Sequence, residues 1–546
     1  MLIDTATSRR SLRISALAVT FLSVLCCMFV LAIPALAQAP ARGGTLVLGI
    51  EADPDVLDPH VGTGWVTWRV DYQIYEGLVK EDLTVKPTGP GPAPIVPSLA
   101  ASWDVSADGA TYTFRLRKGV KFHDGTDFNA EAVLINFERM GKKDSPHYYD
   151  RAGAFAGLLM RKVKDVKVVD SHTVAITLMH PWGDFLRQIG QFSPVRATFI
   201  SPTALKKWGN TDIAEHPVGT GPFEFVERVR GQKIVLKRNE NHWGTKAHLD
   251  RVIFRPLPEA AARVTALQTG EVHMIIAPPL DSVEPLRAQG FSLQLSWPPH
   301  VWFYSLNTNQ GYPTSDVRVR RAIQMAINKE AIATQLLKGT ASPAHQMFAP
   351  SSPAFDPNFK MYSYDPAAAR KLLAEAGYAG TDVKWMTSVS GSGQIAPVQI
   401  TEMIQADLAK VGVKMKMETY EWIAYIYKQR GGLQANKADA SQMSWGMTTN
   451  TWLNFWTNSR LNYGGRGPVG DYKNLAYDDL VEQAERQTDQ AAMVRLYRKA
   501  HEMLMTDAAY LPIIHDRAPI ILGPKVRGFV NPNQEAWDLS IVSLAK

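Results

Sequence analysis

The sequence predicts an α/β fold of more than one domain, on three observations. At 546 residues the chain is too long for a single hydrophobic core. Residues 99–140 read as strand, turn, strand, turn and helix in one short block. On either side of Gly377, amphipathic helix and strand patterns follow one another in the way that crossover connections over a sheet require. Hydrophobic content of 45% with 20% charged residues is ordinary for a globular protein.

The first 37 residues stand apart. Arg9, Arg10 and Arg13 precede the almost wholly apolar run 14–33, and Ala35-Leu36-Ala37 offers a small-x-small cleavage site. An export leader cleaved after about Ala37 is expected. The alternative is an uncleaved anchor, since about 20 apolar residues can span a bilayer. Cys26 and Cys27 are preceded by Leu25 and Cys26, where a lipoprotein signal wants a small residue, so lipidation is not expected. Beyond residue 27 there is no cysteine, hence no disulfide, thiolate metal site or cysteine nucleophile. Removing three arginines and Asp4 takes the formal charge from +7 to +5. With no long Lys/Arg run, this argues against a nucleic-acid partner.

The run 45–50 reads as a buried strand, 54–64 as a Pro/Gly loop, and 72–78 returns to helical spacing. Residues 86–98 form a Pro/Gly-rich surface segment. Asp108-Gly109 is a turn, 111–117 a half-buried strand, 120–122 a short strand and His123-Asp124-Gly125 a second turn. Asn129 then caps a helix with Ala130, Val133, Leu134 and Phe137 on one face. Two strands joined at Asp170-Ser171 fill 163–179. Gly219-Thr220-Gly221 is no phosphate loop, because Pro222 follows and no helix opens there. Residues 223–228 and 234–238 make a hairpin. Helices are expected from 260 to 270, from 319 to about 339, from Asp365-Pro366 to Gly377, from 400 to 412, and over 475–486 and 490–505, before a strand at 510–515.

The string LAASWDVSADGATYTFRLRKGVKFHDGTDFNAEAVLINFERM (99–140) resembles the signature of the family 5 extracellular solute-binding proteins. These are the dipeptide-, oligopeptide- and nickel-binding receptors of bacterial ABC importers. Thr126-Asp127 stands where that pattern has a small residue and Pro. HPVGTGPFEFVERVRGQKIVLKRNENHWG (216–244) and VRGFVNPNQ (526–534) resemble the same family, so the likeness spans nearly all of the chain after the leader. It implies a two-lobed periplasmic binding protein fold with a hinge and an extra subdomain. The expected parts are the leader 1–37, lobe I (41–75, 216–300 and 507–546), the subdomain 76–215 packed on lobe I, and lobe II (301–506). It further implies a periplasmic monomer that closes over a small-molecule or short-peptide-like solute and serves membrane permease subunits, with no cofactor.

The resemblance also implies two facing walls. One is the 60–68 loop, with Thr63, Gly64 and Trp65. The other comprises segments near 390–395, 420–425 and 443–456, with Gln394, Trp422, Trp445, Thr448, Thr449, Asn450 and Trp452. Roughly half of these tryptophans are expected in the core, where aromatic rings also collect. Peptide-binding relatives resemble GW--D--DP-NF in the last segment, and the Asp accepts the peptide's α-ammonium group. Here Thr448, Thr449 and Asn450 are neutral. Dipeptide binders carry a carboxylate-clamping Arg in the matching loop, and register counted back from Glu402 puts Gly391 there. Both absences favour a neutral or weakly charged polar ligand, such as a sugar derivative or an opine-like or peptide-like conjugate. An oligopeptide held through its backbone is the alternative. A nickel chelate fits less well, because the histidines are scattered. No G-x-S-x-G elbow, H-E-x-x-H helix or P-loop is present, which leaves a secreted hydrolase as the rival from another class, and no metal site is expected.

Overall fold

Runs of apolar residues short enough for strands become the centres of two sheets. In the first, Thr45–Ile50 lies between two parallel neighbours, Arg251–Pro256 and Met274–Ile276. Ile520–Leu522 and Ser292–Gln294 extend one side and Lys233–Arg238 and Phe223–Val229 the other, all antiparallel, to seven strands. The second sheet has six, in the order Ala341–Pro343, Tyr510–Asp516, His300–Leu306, Ala440–Gly446, Val383–Ser388 and Met415–Tyr420. Its last three are parallel, and His300–Leu306 runs antiparallel to both of its neighbours. The structure, a computed structural model, describes residues 41–546 apart from 63, 194–195, 392, 447–448 and 462–470. The expected leader, Thr63 and Thr448 therefore lie outside the described residues. No helix among the described residues is long and apolar enough to cross a membrane.

A third sheet holds the 99–140 block. Ala100–Val105, Thr111–Leu116, Thr173–Leu178 and Val163–Asp170 pair antiparallel in that order, and Tyr112, Phe114 and Leu116 point to the buried side as their alternation demands. Asn129 caps helix Ala130–Gly141 by accepting from the Ala132 amide. Ala132, Val133, Phe137 and Met140 are buried and Leu134 is half-buried, so the core stripe lies slightly round from the expected face. The short strand expected at 120–122 is a single Lys121–Asp127 bridge, because Gly119 and Gly125 turn the chain at φ +76° and +82°.

Two further expectations are corrected. The helical segment near the N-terminus is Trp65–Ile74, not 72–78, and it begins at the residue assigned to the ligand loop. The 507 boundary assigns Tyr510–Asp516 to lobe I, yet this strand sits inside the second sheet, next to His300–Leu306. Residues 510–515 are buried throughout, which an interior strand requires, and the chain returns to the first sheet only between Asp516 and Ile520.

Burial also holds several basic groups neutral. Desolvation pushes His501 and His515 down to about 3. Burial, with the Arg139 charge adding to it, takes His60 to about 4. His501 Nε2 accepts from the Met347 amide at 2.9 Å, a role protonation abolishes. These folded-state values lie below that of an unfolded imidazole. The stability they preserve is therefore complete above about pH 6.5 and is lost as pH falls toward 4. Each such histidine costs at most about 2–3 kcal/mol by pH 4.5. The unfolding midpoint in urea is expected to drop steeply between pH 7 and 4.5, and a flat profile would contradict this account.

Candidate ligand-binding site

Strands Val383–Ser388, Met415–Tyr420 and Ala440–Gly446 end on one edge of the second sheet, and the pairing of His300 with Gly446 brings the start of His300–Leu306 to it. The carboxyl edge of parallel strands is where open α/β sheets hold ligands, because the loops there diverge and leave a crevice. The first sheet reaches the same place: strand Thr45–Ile50 leads through loop 51–64 into helix Trp65–Ile74. The Trp65 ring lies 5.6 Å from the His300 ring and edge-on to Trp68 at 4.7 Å. Elements from both sheets thus meet over one strand end.

The loop after Val383–Ser388 fits this edge through its glycines. Gly393 has φ +70°, and a Cβ there would overlap the His300 imidazole. Gly391 has φ +142°, and a Cβ there would overlap the Trp422 ring. Gln394 follows, and its Oε1 accepts from Trp302 Nε1 at 3.2 Å and from Gln442 Nε2 at 2.7 Å. The two amides are thereby oriented, and Gln394 Nε2 and Gln442 Oε1 are left buried without partners. His300 Nδ1 lies 3.3 Å from Ser444 Oγ and its Nε2 has no partner. Burial lowers the His300 pKa, so the ring stays neutral at pH 7. Ser388 Oγ and Trp445 Nε1 are likewise buried and unpaired. Trp445 stands edge-on to Trp456 at 4.7 Å and 6.0 Å from Trp452.

The nearby acids are largely committed, although Glu51 Oε2 is buried without a partner. Glu51 and Glu535 clamp Arg69 at 2.7 and 2.5 Å, and Arg69 stacks on Trp537. Asp516 accepts from the Ala518 amide at 2.8 Å, closing the turn that leaves the second sheet, and desolvation pushes its carboxyl up to about 7. Among the described residues there is no group of three or more His, Cys, Asp or Glu that could hold a metal ion.

Of the residues singled out in the sequence, Gly64, Trp65, Gln394, Trp422 and Trp445 come to this region. Thr449, Asn450 and Trp452 also have partners within the protein, and Asn450 Nδ2 is buried without one. Thr449 donates to Gln188 Oε1 at 3.3 Å, Asn450 Oδ1 accepts from Ser352 at 2.8 Å, and Trp452 packs with Trp445 and Phe455. His300, Gln442 and Ser388 add to the edge without having been singled out. Nothing local marks them, since only pairing between strands about 140 residues apart sets His300 opposite Gly446 and Gln442 opposite Tyr304.

Gly391 explains the absent arginine. A side chain there must take a backbone conformation that suits glycine and displace the Trp422 ring. Gly391→Arg is expected to cost about 2 kcal/mol or more of stability, since strain and overpacking add. Adding Trp422→Gly should recover part of it, and equal denaturation midpoints for Gly391→Arg and the parent protein would refute the clash.

A mixed fold with two sheets whose loops converge on one strand edge defines a binding protein that grips its ligand between sheet-bearing lobes. The comparisons agree. Residues 94–466 match the model of the bacterial extracellular solute-binding proteins, family 5 (middle region). The dipeptide-binding protein of Escherichia coli K12 is 30% identical over 511 residues, 90% of this chain and 93% of that one. The heme-binding protein A of Haemophilus influenzae is 30% identical over 459 residues, 81% and 82% of the two chains. The chain also resembles the solved ABC-transporter-associated periplasmic binding protein DppA of Helicobacter pylori in complex with the peptide STSA. There the TM-score is 0.77, the identity 30% and the coverage 93% of this chain and 99% of that one. The chain belongs to the family 5 extracellular solute-binding proteins, the substrate-binding components of ABC transporters. The family and these relatives are binding proteins.

Proposed function

We propose that this protein takes up a polar solute lacking a strong charge centre, in the periplasm and as a monomer whose leader has been removed, and delivers it to the permease subunits of an ABC importer. Lobe I carries the first sheet and lobe II the second, and the ligand lies where Trp65 meets His300 and the loop 391–394. A ligand that touches both lobes only when they are shut stabilises that state differentially.

The observation that carries this reading is the character of the unused hydrogen-bonding groups at the edge. Gln394 Nε2, Gln442 Oε1, His300 Nε2, Ser388 Oγ and Trp445 Nε1 are all neutral. A buried polar group without a partner costs about 1–3 kcal/mol, so such a cluster is relieved by a ligand that supplies donors and acceptors. Of the carboxylates near it, Glu535 and Glu51 Oε1 hold Arg69 and Asp516 holds a backbone amide, which leaves Glu51 Oε2 as the one buried acidic oxygen among them without a partner. Aromatic rings supply contact area and the amides fix orientation.

Mass spectrometry of the small molecule released on denaturing the freshly purified protein tests this. A single non-peptide or capped compound is expected. A ladder of free peptides would replace this reading with the oligopeptide one, which the dipeptide-binding relative and the peptide-bound neighbour favour. Turnover of chromogenic esters, glycosides or peptides would instead point to a secreted hydrolase.

A further inference from the structure

The segment that follows the four-stranded sheet docks on the loop that leaves strand Ala440–Gly446. Asp184 Oδ2 accepts from the Thr451 amide at 3.1 Å and from Thr451 Oγ1 at 3.2 Å. Trp182 Nε1 donates to the same hydroxyl at 3.0 Å, so Thr451 Oγ1 gives its proton to one side and takes one from the other. Thr449 donates to Gln188 Oε1 at 3.3 Å. Behind them the Gly183 amide donates to the Glu485 carbonyl at 3.2 Å, Gln490 donates to the Gly183 carbonyl at 3.1 Å, and Lys162 pairs with Glu485. Trp182, Asp184, Thr449 and Thr451 are all buried.

The position of Asp184 has a local meaning. Helix Thr451–Thr457 begins at Asn450, whose own side chain caps nothing. A carboxylate 267 residues away in sequence serves its first amide instead, where a negative charge is favourable. The stretch so held follows strand Ala440–Gly446, whose end lies at the ligand edge. Separating the two segments would strip the helix of its cap and expose Trp182.

We propose that Asp184, with Trp182 and Gln188, is a latch that holds the 449–451 loop in its ligand-ready position and draws the subdomain and the second sheet together. Asp184 is then a positioning residue that sets how readily the clamp shuts and never touches the solute. This rests on the two-lobed capture reading above.

The test needs no ligand. Cys26 and Cys27 are the chain's two cysteines and leave with the leader, so adding Lys167→Cys and Lys371→Cys gives one pair for spin labels. Both of these lysines are exposed, one on the four-stranded sheet and one on helix Pro366–Glu375 of the second-sheet side. Electron–electron distance measurements on unliganded protein are expected to show a short and a long population. Asp184→Ala should cut the short population at least threefold at a nearly unchanged melting temperature. Asp184→Asn, which keeps an oxygen for the Thr451 amide, should restore part of it, and Thr451→Val serves if Asp184→Ala does not fold. Two populations that Asp184→Ala and Thr451→Val leave unaltered would overturn the latch and spare the capture reading. One fixed distance in every protein would overturn both, because the contact is then a rigid joint.

Discussion

Replacing Arg139 with leucine is expected to destabilise the protein by about 3–5 kcal/mol, the cost of leaving one member of a buried ion pair alone. Arg139 Nη2 donates to Asp58 Oδ2 at 2.6 Å and its Nη1 to Oδ1 at 3.1 Å, with both side chains essentially shielded from solvent. The same guanidinium reaches His60 Nδ1 at 2.9 Å and Asn210 Oδ1 at 2.9 Å, and lies over the Tyr149 ring. Burial alone would raise the Asp58 pKa, but the Arg139 charge and hydrogen bonds outweigh it and hold the carboxyl below its usual value. Without the arginine, the buried Asp58 carboxylate loses its counter-charge and keeps only the His60 amide at 2.9 Å. Urea denaturation of Arg139→Leu, Asp58→Ala and the double variant checks this. The double variant should lose less than the sum of the singles, and a single-variant loss below about 1 kcal/mol would show that the pair is replaceable.

Trp445→Ala should weaken binding of the co-purifying solute at least tenfold, about 1.4 kcal/mol, as expected for an aromatic anchor at a ligand edge. Trp445 is half-buried, and Trp452 and Trp456 behind it are buried. Its unpaired Nε1 is the atom it can offer a ligand. Trp445→Phe keeps most of the ring and loses the N–H, so it should fall between the parent and the alanine variant. Titration calorimetry beside thermal melts separates the roles. If the melting temperature and affinity fell in equal measure, Trp445 would be a core residue and the neutral-ligand reading would lose its main aromatic contact.

The sequence strings that reveal the family describe the scaffold and leave the ligand unstated. Glu76 accepts from Thr220 and from the Trp243 indole at 2.8 Å each and faces His242 at 3.3 Å, so three residues of the 216–244 string converge on one buried acid. A side chain on Gly219 or Gly221 would collide with the Ile74 carbonyl, which the Gly221 amide reaches at 2.8 Å. The His123 amide donates to the Gly219 carbonyl at 2.8 Å, which joins the two strings to each other. Such patterns are dense and local, and they are legible for that reason. Caps such as Asn129 and Asp365 are legible likewise, because a cap acts within three residues.

The ligand edge is built differently. His300 meets Ser444, and Gln442 comes opposite Tyr304, only through strand pairing, and Thr449 finds its partner 261 residues away in Gln188. The Thr449–Asn450 stretch reads as a binding segment because it is short, polar and placed where relatives hold an anchor. In the structure Thr449 bonds to Gln188 and Asn450 Oδ1 to Ser352, with Asn450 Nδ2 left buried and unpaired. The helix at Trp65 was hidden for a related reason: the Pro- and Gly-rich run before it ends in a residue with no capping side chain, Gly64.

The contact between Gly391 and Trp422 also constrains how the specificity of this protein can change over generations. A lineage placing a cationic clamp at position 391 meets a folding defect before it gains any new ligand, and one trimming Trp422 first opens a hole beside Gly391. Each single step is disfavoured, and the pair together removes the ring clash but keeps the backbone strain at position 391. A protein near its stability threshold crosses such a valley rarely, so the two residues act as a ratchet on what the importer can be recruited to carry.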